Sequence, residues 1–190
     1  MTALQGIDDT LHVRKGETLL IFGATGTVGT LAVQFAKRHK ARVLATASGR
    51  KAASLVRRLG ASAVLDARSA HALDELRALA PDGIDAVLAL AGGDALERCL
   101  DFVRERGRVA YPNGVEPEPQ RRRKFSIQAY DAVAGPREFA RLARAVDEAR
   151  LRVPVAAIYP LGQAADAHRR LHERVIGRIV ICLRRGRPRG

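Results

Sequence analysis

The sequence has 190 residues, enough for one large domain or for one domain with a small appendage. Hydrophobic residues make up 47% of it, but aromatic residues only 4%, so the core must consist of alanine, valine, leucine and isoleucine. The apolar runs are too short for a membrane-spanning helix, and the first residues lack the pattern of a secretory signal. The two cysteines, Cys99 and Cys182, have no disulfide or metal-binding spacing. We therefore expect a cytoplasmic protein with no membrane partner.

The net charge of +13 comes mostly from arginine, with basic runs at residues 121–124 and in the tail 184–190. Such runs can contact the phosphate groups of nucleic acid. No aromatic residues alternate with them to stack on bases, however, and solvated arginines on helix faces explain them more simply. We expect an anionic small ligand rather than a nucleic acid as the partner.

Short β-branched runs alternate with helix-like blocks over residues 1–150. Strands that are apolar on both faces and joined by helices indicate a parallel sheet covered on both sides. Right-handed crossovers then predict an α/β fold with a doubly wound parallel sheet of the Rossmann type, with about six strands. The predicted strands are Thr18–Phe22, Arg42–Thr46, Ala63–Asp66, Ile84–Leu90, Arg108–Tyr111 and Phe125–Tyr130. The predicted helices are Gly26–His39, Lys51–Leu59, His71–Leu79, Asp94–Val103 and Pro136–Ala149.

Residues 151–183 follow this domain as a small annex of strand, helix and strand. The three elements are predicted at Val153–Tyr159, Leu161–His172 and Val175–Leu183, before the basic tail. His168 and His172 are four residues apart on the predicted helix, as a metal pair would be, but no further ligand accompanies them. A solvated helix face explains them better, so we predict no metal site.

The sequence GATGTVG joins the first predicted strand to the first helix, the context in which its glycines have a physical meaning. Gly23 would permit a tight exit from the strand, Gly26 a close approach to a pyrophosphate, and Gly29 close packing of the helix on the sheet. The N–H groups of Thr27 and Val28, together with the helix dipole, would then bind an anion. The alternative is a glycine-rich turn that joins strand and helix but binds no ligand.

The residues after the second strand indicate which dinucleotide binds. An NAD site has a carboxylate there for the ribose hydroxyls, but this sequence has none. Ser48, Arg50 and Lys51 can instead bind and neutralise a 2′-phosphate. Cations at a helix start oppose its dipole, which favours a functional reason for them. We predict NADP(H) in preference to NAD(H).

Three stretches resemble the cofactor domain of the medium-chain dehydrogenase/reductase family, in its zinc-independent quinone oxidoreductase branch. They are GETLLIFGATGTVGTLAVQFAKRHKARVLATASGRKAASLVRRLGASAVLD, LALAGGDALERCLDFVRERGRVAYPNG and HERVIGRIVICL, which span nearly the whole chain. The resemblance implies NADPH as cofactor and hydride transfer to quinone or enone substrates. It also implies that Ala91 and Asn113 lie near the nicotinamide ribose and ring. The predicted cofactor-binding residues are Gly23, Ala24, Thr25, Gly26, Thr27, Val28, Gly29, Ser48, Arg50, Lys51, Ala91 and Asn113.

The sequence departs from this family in two ways. Residues 2–6 resemble the helix that joins the two domains of the family, so the resemblance implies that the family's N-terminal, chaperonin-10-like catalytic domain would be missing from this chain. This chain alone would therefore lack half of the substrate cleft that turnover needs. The annex would be a remnant of the catalytic domain. Asp66 follows the third strand, where some relatives have a tyrosine, and would repel the adenosine phosphate if it lay close.

The glycine turn also fits the short-chain dehydrogenase superfamily. The short-chain dehydrogenases need Tyr-x-x-x-Lys, but none of Tyr111, Tyr130 and Tyr159 has a lysine four residues later. No catalytic acid, base or nucleophile can be assigned. The remaining alternative to an oxidoreductase is a non-catalytic NADP(H)-binding sensor or interaction module. By the resemblance we also expect a homodimer joined through the sixth strand.

Overall fold

The computed structural model describes residues 1–173 and 175–183. These form two compact units, the first being Met1–Arg152 and the second starting at Val153. The predicted basic tail, 184–190, lies outside the described residues. No helix in the described part of the chain is long and apolar enough to cross a bilayer.

The first unit is built on one six-stranded sheet with the strand order β3-β2-β1-β4-β5-β6, in which every neighbouring pair is parallel. The central strands β1 and β4 are almost entirely buried, because helices cover both faces. This confirms the predicted doubly wound α/β fold. The strands are β1 Thr18–Phe22, β2 Arg42–Thr46, β3 Ala63–Leu65, β4 Ile84–Ala89, β5 Val103–Pro112 and β6 Ser126–Tyr130.

The helices of the first unit largely match the predicted blocks. They are α1 Thr2–Gln5, α2 Thr27–Arg38, α3 Arg50–Leu59, α4 Ala72–Leu79, α5 Asp94–Leu100 and α6 Pro136–Ala149, and a wide helical turn, Gly6–Thr10, follows α1. The helix predicted over Asp94–Val103 is too long, since α5 ends at Leu100 and Val103 begins β5. Val103 is fully buried and pairs with Ile84 of β4, and this sheet contact overrides the local helical pattern.

The second unit is a two-stranded parallel sheet with a helical crossover. Strand β7 (Val155–Pro160) pairs with β8 (Arg178–Cys182), and a 3₁₀ turn at Leu161–Gln163 and helix α7 (Ala164–Arg170) connect them. The predicted strand-helix-strand annex is thus confirmed, with shorter elements than predicted. The rings of His168 and His172 lie 5.8 Å apart between centroids, in edge-to-face orientation.

Two buried glutamines each form a pair of hydrogen bonds with the backbone of one loop residue, as a neighbouring strand would. Gln5 Nε2 donates to the carbonyl of Val133 at 2.9 Å, and the Val133 amide donates back to Gln5 Oε1 at 2.8 Å. Gln34 binds Arg152 in the same two-point way, at 2.9 and 2.8 Å. Each side-chain amide satisfies both backbone groups of one loop residue, so these loops are fixed without belonging to the sheet.

One carboxylate joins the start of the chain to two helices. Asp8 is contacted by Arg38 Nη2 at 2.6 Å, His39 Nε2 at 2.7 Å and Arg141 Nη2 at 2.9 Å. Burial raises the pKa of Asp8, but the hydrogen bonds from Arg141 and His39 and the charge of Arg38 outweigh it, so this pKa lies below its ordinary value. The ionised carboxylate is therefore stabilised by folding.

We expect Asp8→Asn to lower the free energy of unfolding by about 2 kcal/mol near neutral pH, because Arg38, His39 and Arg141 lose the charge of their shared carboxylate partner. A carboxyl whose pKa is lowered by folding contributes stability above its unfolded value, near 3.9, and loses it as the pH falls further. The difference between variant and native protein should hence begin to shrink below about pH 4 and continue to fall as the pH drops through the lower pKa of the folded state.

Urea denaturation at several pH values measures this difference. Asp82→Asn is the matched control, because Asp82 is exposed in the turn before β4. A difference that persists unchanged at pH 3 would contradict the assignment of the stabilisation to the ionised form of Asp8.

Candidate cofactor-binding site

The turn between β1 and α2 brings backbone into very close contact at two glycines. Gly23 has a φ of +85°, a left-handed conformation that side chains rarely adopt, and its amide donates to Thr46 Oγ1 at 2.8 Å. At Gly29 a β-carbon would overlap the carbonyl oxygen of Gly23 and the backbone of Ala24. Glycine is thus required at both positions, which holds the start of α2 against the end of β1.

Gly26, by contrast, has an ordinary backbone conformation with a φ of −73°. A β-carbon there would meet only the Gly23 carbonyl oxygen, at 3.4 Å. The fold itself therefore tolerates another residue at this position. A close approach of Gly26 to a ligand stays a prediction.

The first turn of α2 offers unused backbone donors. Gly26 is the N-cap, no side chain caps the helix, and its first turn contains no acidic residue. The amide of Thr30 donates to the Gly26 carbonyl at 3.0 Å, so the amides of Val28 and Gly29 precede the first α-helical bond. With the positive end of the helix dipole, these amides fit an anionic group such as a pyrophosphate.

A groove at the end of β2 is lined by Arg50, one of the three residues predicted to bind the phosphate. Its volume is about 480 Å³, and it is lined by Ala47, Gly49, Arg50, Ala53, Arg57, Val64, Asp66 and Glu75. Lys51 is exposed but is not part of this lining. Sequence reasoning missed Arg57, although its position seven residues after Arg50 places both on one face of α3.

Ser48 and Asp66 are brought into direct contact beside this groove. Ser48 Oγ donates to Asp66 Oδ1 at 2.8 Å, and the amide of Arg68 donates to the same oxygen at 3.1 Å. Asp66, whose charge would repel a phosphate close to it, therefore contacts Ser48, which is predicted to bind that phosphate.

The two residues predicted near the nicotinamide follow neighbouring strands. Ala91 comes shortly after β4 and Asn113 directly after β5, and both are exposed. Asn113 Nδ2 donates to Asp131 Oδ2, which follows β6, at 2.6 Å. Asp131 was not predicted as a site residue, because its contact depends on the pairing of β5 with β6.

The basic run at 121–124 is partly neutralised within the fold. Arg122 forms ion pairs with Glu97, at 3.0 Å, and with Asp101. Lys124 Nζ donates to the carbonyl of Asp101 at 3.0 Å. These contacts attach the segment after β5 to α5, so part of this charge has a structural role.

The buried titratable groups are poorly suited to proton transfer. Burial raises the pKa of Cys99 to about 11, which leaves its thiol protonated and unreactive. Burial also raises the pKa of Tyr130, whose hydroxyl donates to the carbonyl of Thr2 at 3.0 Å. Both groups therefore belong to the core rather than to a reaction centre.

Residues 59–181 match a sequence family described as zinc-binding dehydrogenase. The chain belongs to this family. The match spans the end of α3 through nearly all of β8, and it confirms the predicted resemblance to medium-chain dehydrogenases/reductases, with quinone oxidoreductases among the relatives. Within residues 1–173 and 175–183, no three His, Cys, Asp or Glu side chains are grouped to hold a metal ion.

Three relatives illustrate the match. A quinone oxidoreductase from Sus scrofa is 29% identical over 184 residues, covering 90% of this chain and 56% of the relative. A crystal structure described as an NAD-dependent alcohol dehydrogenase has a TM-score of 0.85 at 30% identity, covering 96% of this chain and 56% of that one. A mycobacterial protein complexed with NADPH has a TM-score of 0.78 at 26% identity, covering 95% and 60%. The chain spans about half the length of the curated relatives it matches.

We expect Gly29→Ala to lower the free energy of unfolding by about 2 kcal/mol, because the added methyl group overlaps backbone atoms that have no free space to move into. Gly26→Ala is the matched control, and its cost should stay below about 1 kcal/mol, as expected for an N-cap substitution. Thermal or urea unfolding of both variants measures the difference. Equal losses for the two would contradict the close crossing of α2 and β1.

Proposed function

We propose that this chain is the NADPH-binding domain of a quinone-reductase-like oxidoreductase, which transfers a hydride from NADPH to quinone or enone substrates. The observation that carries the proposal is the uncapped start of α2, held by Gly23 and Gly29 against β1. Membership in a dehydrogenase family, and relatives described as quinone oxidoreductases, support the reaction class.

Each part of the site has a separate task in this proposal. The amides of Val28 and Gly29 donate to the pyrophosphate, and residues 23–27 form the turn that admits it. Arg50 and Lys51 neutralise the adenosine 2′-phosphate, and Ser48, whose hydroxyl contacts Asp66, lies beside it. Ala91 and Asn113 border the nicotinamide ribose and ring, with the amide of Asn113 oriented by Asp131.

The bound coenzyme supplies the hydride, and the protein positions it. No acid, base or metal ion of this chain takes part in the proposed transfer, so activity depends on how closely substrate and nicotinamide are held. The mycobacterial relative bound to NADPH supports the choice of coenzyme, whereas another relative is described as NAD-dependent. The two cations at residues 50 and 51 decide our choice of NADPH.

We expect Arg50→Ala with Lys51→Ala to weaken NADPH binding about tenfold and NADH binding less than about twofold, because only NADPH has the phosphate that these cations neutralise. Calorimetric titration of the full chain with each coenzyme measures both constants. The double variant Arg14→Ala with Lys15→Ala is the matched control, since it removes the same charge before β1, at the opposite edge of the sheet.

Equal losses for the two coenzymes would contradict the phosphate role, and no binding of either would contradict the proposed function. Quinone-dependent oxidation of NADPH then separates the alternatives. Turnover supports the oxidoreductase, and binding without turnover supports a non-catalytic sensor or interaction module.

We also propose that a second copy of the chain covers the free edge of β6. Among the residues that the structure describes, this strand pairs only with β5, and Ser126, Gln128 and Ala129 on it are exposed. An exposed strand edge readily pairs with another chain. Light scattering at micromolar concentration should give twice the 20.6 kDa of one chain, and the mass of a single chain would contradict the proposal.

A further inference from the structure

The hydroxyl of Ser48 can donate one hydrogen bond, and its acceptor is Asp66. Ser48 Oγ donates to Asp66 Oδ1 at 2.8 Å, so this proton is engaged with a carboxylate. A phosphate has only acceptor oxygens in its ionised form, and it would compete with Asp66 for this one donor. Ser48 therefore cannot bind a 2′-phosphate without giving up its contact with Asp66.

The second carboxylate oxygen of Asp66 is available to a ligand. Both hydrogen bonds to this side chain, from Ser48 and from the amide of Arg68, end on Oδ1. Within the described residues, Oδ2 accepts no hydrogen bond, and Asp66 is half-buried in the lining of the groove. An unphosphorylated ribose can donate a hydroxyl proton to such an oxygen, whereas a phosphate is repelled by it.

The groove also contains the opposite charge. Arg50 and Arg57 line it from α3, and neither forms an ion pair with any described residue. Arg50 and Arg57 are seven residues apart, which places them on one face of α3. Glu75 provides a second carboxylate in the lining. Two cations and two carboxylates therefore face the same space.

We propose that Asp66, through its charge and its contact with Ser48, is a specificity-determining residue that restrains the preference for NADPH and lets NADH bind at the same site. The inference rests on the proposed coenzyme-binding function. Arg50 and Arg57 favour the phosphorylated coenzyme, and Asp66 offsets part of that preference.

The variant Asp66→Asn tests this with little risk to folding. Asparagine keeps the acceptor for the amide of Arg68 and the size of the side chain, removes the charge, and replaces the second oxygen with an NH2 donor, which a phosphate accepts from and a ribose hydroxyl cannot donate to. We expect NADPH to bind about tenfold more tightly and NADH no more tightly, so that the ratio of the two affinities rises about tenfold. The gain should shrink at high salt, because the groove is open to solvent.

Asp82→Asn serves as the charge-matched control, since Asp82 precedes β4 at the opposite edge of the sheet from Asp66. It should change neither affinity. An unchanged ratio in Asp66→Asn, with coenzyme binding intact, would overturn this inference and leave the proposed function standing. Failure of both coenzymes to bind any of these proteins would overturn the two together.

A second pair of variants examines the contact with Ser48. In the native background, Ser48→Ala should cost less than about twofold in NADPH affinity, because its proton already serves Asp66. In an Asp66→Ala background the hydroxyl is released, and the same change should cost about fivefold. Equal costs in the two backgrounds would show that Asp66 does not act through Ser48.

Discussion

The contact between the first turn of α2 and the turn after β1 is the constraint on which the candidate site depends. Gly29 packs against the backbone of Gly23 and Ala24 so closely that even a methyl group would overlap it. This contact places the start of α2 at the C-terminal edge of the sheet, where the loops after β4 and β5 begin. If α2 moved away by the width of a side chain, its free amides would no longer face those loops.

Two groups of arginines in the first unit have different surroundings. Arg38, Arg122 and Arg141 each contact carboxylates and connect separate segments of the first unit. Arg50 and Arg57 form no ion pair within the described residues, although Asp66 and Glu75 line the same groove. The first group accounts for part of the fold's cohesion. The second forms no direct contact with the carboxylates that share its groove, so its charge is available to an anionic ligand, which is why the groove has a place in the proposed function.

Periodicity and turn residues were sufficient to predict the six strands and the doubly wound sheet, because buried parallel strands and amphipathic helices leave clear patterns. The boundary between α5 and β5 was predicted incorrectly, since Val103 is placed by its pairing with Ile84, which lies nineteen residues away. The glycine turn was recognisable because its meaning is local.

Contacts across the sheet edge were not recognisable from the sequence. Asp66 was seen as a possible obstacle, but its hydrogen bond with Ser48 depends on β3 lying beside β2. The contact of Asn113 with Asp131 likewise depends on β5 lying beside β6. Short-range spacing places a residue at the end of a strand, whereas the identity of its partner follows from the strand order.

The glutamine pairings have a consequence for the last residue of the first unit. Gln34 fixes both the amide and the carbonyl of Arg152, which is where this unit ends. The final residue of the first unit is therefore clamped at both of its polar backbone atoms by a side chain of α2. One helix thus has two duties at its two ends: its uncapped start follows the glycine turn, and its body secures the last residue of its own unit.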